Sequence, residues 1–193
     1  LRILSANDGQ NHLKLNPACF TSATATLQFA VSNPTPDSIT VVELGPDHPP
    51  RTRTVYGTVP NTIWGSPYLA VSHDGRLGFV TCHTNGLFRP RSSNVLSVVD
   101  LSAPNPTVLQ QIEVPYPTMA EAHPDGKHLV VACATGFRVF EIQPGGLVLV
   151  RDNVLGVCPD SFAISPDGRW IVAALPVARG TNSIASAVTP AAA

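Results

Sequence analysis

The sequence predicts an all-β repeat protein, and three observations predict it. One hairpin pattern recurs three times, an acidic strand-end marker recurs in step with it, and turn residues break the chain every few positions. Nineteen prolines and fourteen glycines are spread over 193 residues. That density leaves no room for long helices and favours short strands joined by tight turns.

The hairpins read Pro67 to Arg76, Pro117 to Lys127 and Pro159 to Arg169. Each holds a proline, a short apolar strand, an Asp-Gly pair and a basic residue. An apolar second strand follows in each case: Leu77 to Cys82, Leu129 to Cys133, and Trp170 to Leu175. Asp-Gly between apolar runs is a strong short-range hairpin signal, because both residues tolerate positive φ. A two-residue turn is therefore expected at Asp74-Gly75, Asp125-Gly126 and Asp167-Gly168. The turn glycines stand 51 and 42 residues apart.

Third strands follow at Val41 to Leu44, Val98 to Leu101 and Val139 to Ile142, each with an acid before its last aliphatic residue. From turn glycine to acid the distance is 25 residues in one repeat and 15 in the next. The extra residues fall at about His83 to Asn94 and account for the longer period. Fourth strands are expected at Arg53 to Val59, Val108 to Val114 and Leu147 to Val150. Two of them end in Val-Pro, where proline removes a donor from an exposed edge.

Four antiparallel strands every 40 to 50 residues is the pattern of a propeller blade. The expectation is a single β-propeller segment over residues 1–193, with about three and a half to four four-stranded blades. Approximate blades are 1–60, 61–115, 116–158 and an incomplete 159–193. Two registers remain open at the N-terminus. Either Ser22 to Val31 is a degenerate first hairpin, or Leu1 to Gly9 is the first hairpin and residues 10–32 are inserted. At the other end, the apolar run Trp170 to Pro176 offers an uncapped blade face. Self-association, or cover by further blades of a longer chain, is expected there.

Composition narrows the function classes. Hydrophobic residues make up 44% and charged residues 13%, with a formal net charge of −1. A general nucleic-acid binder needs a basic stripe, which is missing. The clusters at Arg51 to Arg53 and Arg89 to Arg91 read as solvated loop charge. No apolar run reaches the roughly 18 residues of a membrane span. Cys19, Cys82, Cys133 and Cys158 form no CxxC pair, so they read as buried thiols, with one bridge open to an exported protein.

Loops entering the first strand, and loops between second and third strands, share one face of a propeller, and function concentrates on such loops. The residues there with chemistry are Trp64, His83, Arg89, Arg91, Glu121 and Asp160. Trp64, His83, Arg89, Arg91 and Asp160 are the expected ligand-binding set. No catalytic residue, metal ligand or cofactor is assigned. His73 and His123 are offset by one position between repeats and do not make a shared metal site. The three turn aspartates are explained by the turns. The chain has no Gly-x-Ser-x-Gly, P-loop, dinucleotide fingerprint or Cys-x-x-Cys-His.

The Ser-Pro-Asp-Gly-Arg hairpin at Ser165 to Arg169 and the Val-Val-Asp-Leu strand end at Val98 to Leu101 resemble the YVTN-type propellers. These include YncE-like and seven-bladed lactonase-like proteins. The resemblance runs from about Asp37 to Leu175 and implies a fragment of a seven-bladed ring and a periplasmic or secreted location. Two functions follow. The leading one is a non-catalytic scaffold that presents its loop-rich face to a protein or small ligand, because Leu69, Ala70, Val71, Phe162, Ala163 and Ile164 make an apolar channel. The alternative is a lactonase-like hydrolase that polarises a ring ester with a channel-bound metal.

Overall fold

The computed structural model of the protein describes residues 2–7, 13–15, 29–31, 38–56, 59, 69–83, 94–175 and 186–188. All regular structure among them is antiparallel sheet. Two sheets carry four strands in simple meander order. The second main sheet along the chain is built from β6 (Leu69–Val71), β7 (Leu77–Cys82), β8 (Val95–Asp100) and β9 (Thr107–Glu113). The third is built from β10 (Met119–Ala122), β11 (His128–Cys133), β12 (Gly136–Gln143) and β13 (Gly146–Val154). These are propeller blades. A three-stranded sheet follows, of β14 (Ser161–Ile164), β15 (Ile171–Ala174) and β16 (Ser186–Val188).

The N-terminal sheet has three strands among the described residues. It consists of β1 (Arg2–Asn7), β4 (Ser38–Gly45) and β5 (His48–Tyr56), with β1 paired directly to β4. Arg2–Asn7 is thus a single strand beside β4, while the Asp8-Gly9 turn and Ser22 to Gln28 lie outside the described residues. The intervening strands β2 (Leu13–Leu15) and β3 (Phe29–Val31) pair with each other. The stretch from Val177 onward lies outside the described residues, apart from β16.

The core lies between sheets rather than within them. Ile39, Val41 and Val59 pack with Val80, Val99 and Leu101 at the first junction. Phe79, Leu96 and Val98 pack with Leu129, Val131 and Phe140 at the second. Val130, Ala132 and Phe137 pack with Phe162, Ile171 and Ala173 at the third. Period-two alternation causes this, since successive residues of β11 point at opposite neighbours. A sheet alone would leave both faces wet, so each depends on the next. The run from Trp170 is not apolar surface throughout: Ile171 and Ala173 are buried, while Trp170 and Val172 are exposed. Alternation again sets the difference.

Polar side chains clasp the same junctions. Arg53 donates to the carbonyls of Ala103 and Pro104 and pairs with Glu43 at 3.2 Å. It is therefore not the solvated loop charge expected from composition, because β5 carries it against the second sheet. Gln110 accepts from Leu147 N–H at 2.7 Å and donates to Leu147 O at 3.2 Å. Met119 and Glu121 accept from the N–H groups of Phe162 and Ile164 along β14.

The Asp-Gly turns are real but longer than expected. Gly75, Gly126 and Gly168 have φ of 70°, 71° and 70°, while the aspartates before them stay at negative φ. A two-residue type I′ turn needs both residues positive. Here Gly75 N–H bonds back to Ser72 O, and Ser72 N–H to Leu77 O, which makes a four-residue loop. Ser165 and Gly168 repeat this geometry with Trp170. The aspartate holds the loop from inside: Asp74 Oδ1 accepts from Ser72 Oγ and Arg76 N–H, and Asp167 Oδ1 from Ser165 Oγ and Arg169 N–H. These bonds hold both carboxyls below the usual range.

The glycines differ in what surrounds them. A Cβ at Gly168 would lie 2.6 Å from the His123 ring, whereas one at Gly126 would meet nothing nearer than 3.7 Å. Gly126→Val is expected to cost about 1–2 kcal/mol from the left-handed backbone alone. Gly168→Val is expected to cost about 1 kcal/mol more, because His123 must also move. Equal midpoints for the two variants in urea would refute this.

Candidate functional site

The loop face gathers around the first strand of the third sheet. His83 follows directly from β7, and Tyr116 to Thr118 lead into β10. The His83 ring lies 4.4 Å from the Tyr116 ring, tilted by 51°. His83 Nδ1 is 3.0 Å from Pro117 O. A carbonyl can only accept, so Nδ1 carries the proton and Nε2 is the basic nitrogen. Burial pushes the imidazole below its ordinary value of 6.5, against the raising effect of the Pro117 bond. The neutral form therefore dominates at neutral pH.

Tyr116 has φ of 50°. It is the one non-glycine residue with positive φ among the described residues. An aromatic residue in that region carries about 1–3 kcal/mol of strain, of a kind that collects at functional sites. The loop continues into the next sheet, since Thr118 Oγ1 donates to Pro159 O at 3.2 Å. Asp160 follows, exposed, its N–H bonded to Ala174 O. Cys158 lies beside it, its thiol pushed up by burial. Cys82, Cys133 and Cys158 are thiols. Cys19 lies outside the described residues.

Of the five expected ligand-binding residues, the structure places His83 and Asp160 on this face. Trp64, Arg89 and Arg91 lie outside the described residues. Glu121 sits three residues beyond Thr118 on the inner strand β10. Its Oε1 accepts from Ile164 N–H at 3.4 Å, and its Oε2 is buried without a hydrogen-bond partner. Burial raises its pKa, opposed by the Ile164 bond. A carboxyl held this way binds its proton more tightly than a solvated one. A separate shallow groove of about 630 Å³ lies between Arg51 to Arg53 and Ser102 to Pro104. Its Arg53 is already committed to the sheet junction, so it offers little chemistry.

Only one group of three metal-capable side chains occurs among the described residues: His123, Asp125 and His128. It lies at the far end of β10 from Tyr116, across four strand residues or roughly 13 Å. The spacing His-x-Asp-x-x-His was visible in the sequence. These three side chains converge where the sequence assigns no metal ligand.

No family model matches the sequence, and no curated protein matches it significantly. Solved structures do match in fold. The Pseudomonas aeruginosa periplasmic gluconolactonase is 20% identical, with a TM-score of 0.52, over 82% of this chain and 50% of that one. A candidate 6-phosphogluconolactonase from Bacteroides uniformis is 20% identical, with a TM-score of 0.53, over 70% and 40%. Hydrazine synthase of Kuenenia stuttgartiensis is 24% identical, with a TM-score of 0.57, over 79% and 40%. The chain thus spans 40 to 50% of the length of these neighbours. The likeness is one of fold.

Proposed function

We propose that the chain supplies part of a lactonase-type propeller, in which the loop face binds a small hydroxylated lactone and His83 activates the attacking water. The observation that carries this reading is the neutral His83 held against strained Tyr116 by Pro117 O. Fold likeness to proteins named as gluconolactonases gives it a substrate class, as analogy rather than demonstration. In the proposed step Nε2 of His83 takes a proton from water, and the hydroxide adds to the ring carbonyl. The ring C–O bond then breaks, leaving a carboxylate and a hydroxyl. Asp160, with Arg89, Arg91 and Trp64, completes the proposed ligand set. A periplasmic location and membership among the YVTN-type propellers belong to the same reading.

The scaffold reading keeps one supporting observation. Among the described residues, the inner strands β6, β10 and β14 carry a single carboxylate, Glu121. A face that binds without reacting needs no more.

Hydrolysis of glucono-1,5-lactone, followed by pH-stat, separates the two. His83→Gln is expected to lower kcat/KM by about 10²-fold or more, the range for loss of a general base. The parent's rate should rise with pH through a value below 6.5 and then level off, because only neutral imidazole is active. Stability carries the same sign. The unfolded chain binds the His83 proton more readily, so stability is full above 6.5 and falls as pH drops through the lowered folded value. A rate that is absent, or unchanged in His83→Gln, would leave the scaffold reading standing.

A further inference from the structure

The turn between β10 and β11 departs from its two sister turns at two positions. Where they carry Ser72 and Ser165, it carries His123. Where they carry Leu77 and Trp170, it carries His128. The aspartate is common to all three, but its second oxygen is used differently. Asp125 Oδ1 holds the loop, accepting from Lys127 N–H at 2.8 Å and His128 N–H at 3.1 Å. Asp125 Oδ2 instead faces two imidazoles, 3.0 Å from His123 Nδ1 and 2.7 Å from His128 Nδ1. All three ligand atoms lie within 4.8 Å of one another.

The tautomer of His123 makes this arrangement informative. Its Nε2 is 2.9 Å from Gly168 O, which can only accept, so Nε2 carries the proton. In neutral imidazole, Nδ1 is then a lone pair directed at a carboxylate oxygen. Two acceptors 3.0 Å apart repel unless a positive charge joins them. The Asp125 N–H also reaches that nitrogen, but at 3.2 Å, longer than the carboxylate contact. A ligating histidine ordinarily has its other nitrogen bonded to a carbonyl or carboxylate, as Gly168 O does here.

We propose that His123 Nδ1, Asp125 Oδ2 and His128 Nδ1 form a zinc-binding site at the junction of the third and fourth sheets. Zinc bonds of about 2.0–2.2 Å put tetrahedral ligands roughly 3.3 Å apart, so the two contacts need open by only a few tenths of an ångström. Two imidazoles and one carboxylate leave a fourth position for water. The partial exposure of the three side chains, 17%, 34% and 36%, leaves that position accessible. Because His123 is bonded to Gly168 O, the ion would fix the third sheet's turn against the fourth. This site lies at the other end of β10 from His83 and is independent of the lactonase reading.

The test is zinc titration of chelator-treated protein by calorimetry, with His123→Ser and His128→Leu alongside the parent. Both substitutions install residues that the sister turns already hold, so far-UV circular dichroism should match the parent. The parent is expected to bind one equivalent with a dissociation constant of about 1 µM or tighter. Each variant is expected to bind about 100-fold more weakly, since losing a ligand costs at least as much as losing one of its supporting partners. If one variant loses its sheet signal, the other decides. No binding by the parent, or binding unchanged in a folded variant, overturns the site.

Discussion

Gly136→Ala is expected to cost about 3–4 kcal/mol, a large part of the 5–15 kcal/mol that holds an ordinary domain. Gly136 opens β12 after the tight connection from Cys133, at φ of 143°. That region is open essentially to glycine alone, and a side chain there costs about 1–3 kcal/mol. Space is lacking as well. An added Cβ would lie 2.2 Å from Asn153 O and 2.8 Å from Leu155 N. Both are backbone atoms of the paired strand and its exit, so they cannot rotate away as a side chain would. Overpacking of this kind adds about 1–3 kcal/mol. Gly145, on the next turn, is the control: a Cβ there meets nothing within 4 Å. The urea midpoint of Gly136→Ala should fall by about 1.5–2 M, given slopes of about 1–3 kcal/mol per molar. The midpoint of Gly145→Ala should barely move. Equal midpoints would mean that the pairing of β12 with β13 is wrong near its start.

Phe137→Ala is expected to cost about 3–5 kcal/mol, the usual loss for a buried phenylalanine. Its ring is fully buried and meets Phe162 edge to face at 5.2 Å. Phe140 is buried to the same degree, but it points to the other side of β12, into the second junction. The two truncations should therefore differ in place more than in size. Hydrogen exchange should rise in β14 and β15 for Phe137→Ala, and in β7 and β8 for Phe140→Ala. Loss of protection spread evenly over all sheets in both variants would show that the sheets do not open separately.

What could be read from the sequence was whatever repeats locally. Asp74, Asp125 and Asp167 with their glycines mark the hairpins because turn chemistry depends on four or five consecutive residues. The insertion after His83 showed as a change of period for the same reason. The turn length was not readable, because it is set by backbone bonds between residues five apart, shared by Ser72 with Leu77, His123 with His128 and Ser165 with Trp170. Arg53 was misjudged because its partners are Ala103 and Pro104, about fifty positions away. Tyr116 carried no signal, since nothing in Pro-Tyr-Pro predicts positive φ. The convergence of His123, Asp125 and His128 was hidden by the repeat itself: comparing turns draws attention to what they share, and this turn differs at the positions that matter. Trp64, Arg89 and Arg91 lie outside the described residues.

The clasps at the sheet junctions have a direction. Arg53 reaches forward to Ala103, Gln110 to Leu147, Thr118 to Pro159, and Met119, Glu121 and His123 to the strand and turn of β14 and β15. Arg138 reaches the other way, to Glu113 O. A sheet made early thus already holds the side chains that will receive its successor. A ribosome delivers a repeat of this length in roughly 2–10 s, far longer than a hairpin needs to close. Each newly emerged sheet should therefore meet a finished dock rather than an unfolded neighbour, and a stalled chain would end on a blade whose forward-reaching groups have nothing yet to hold.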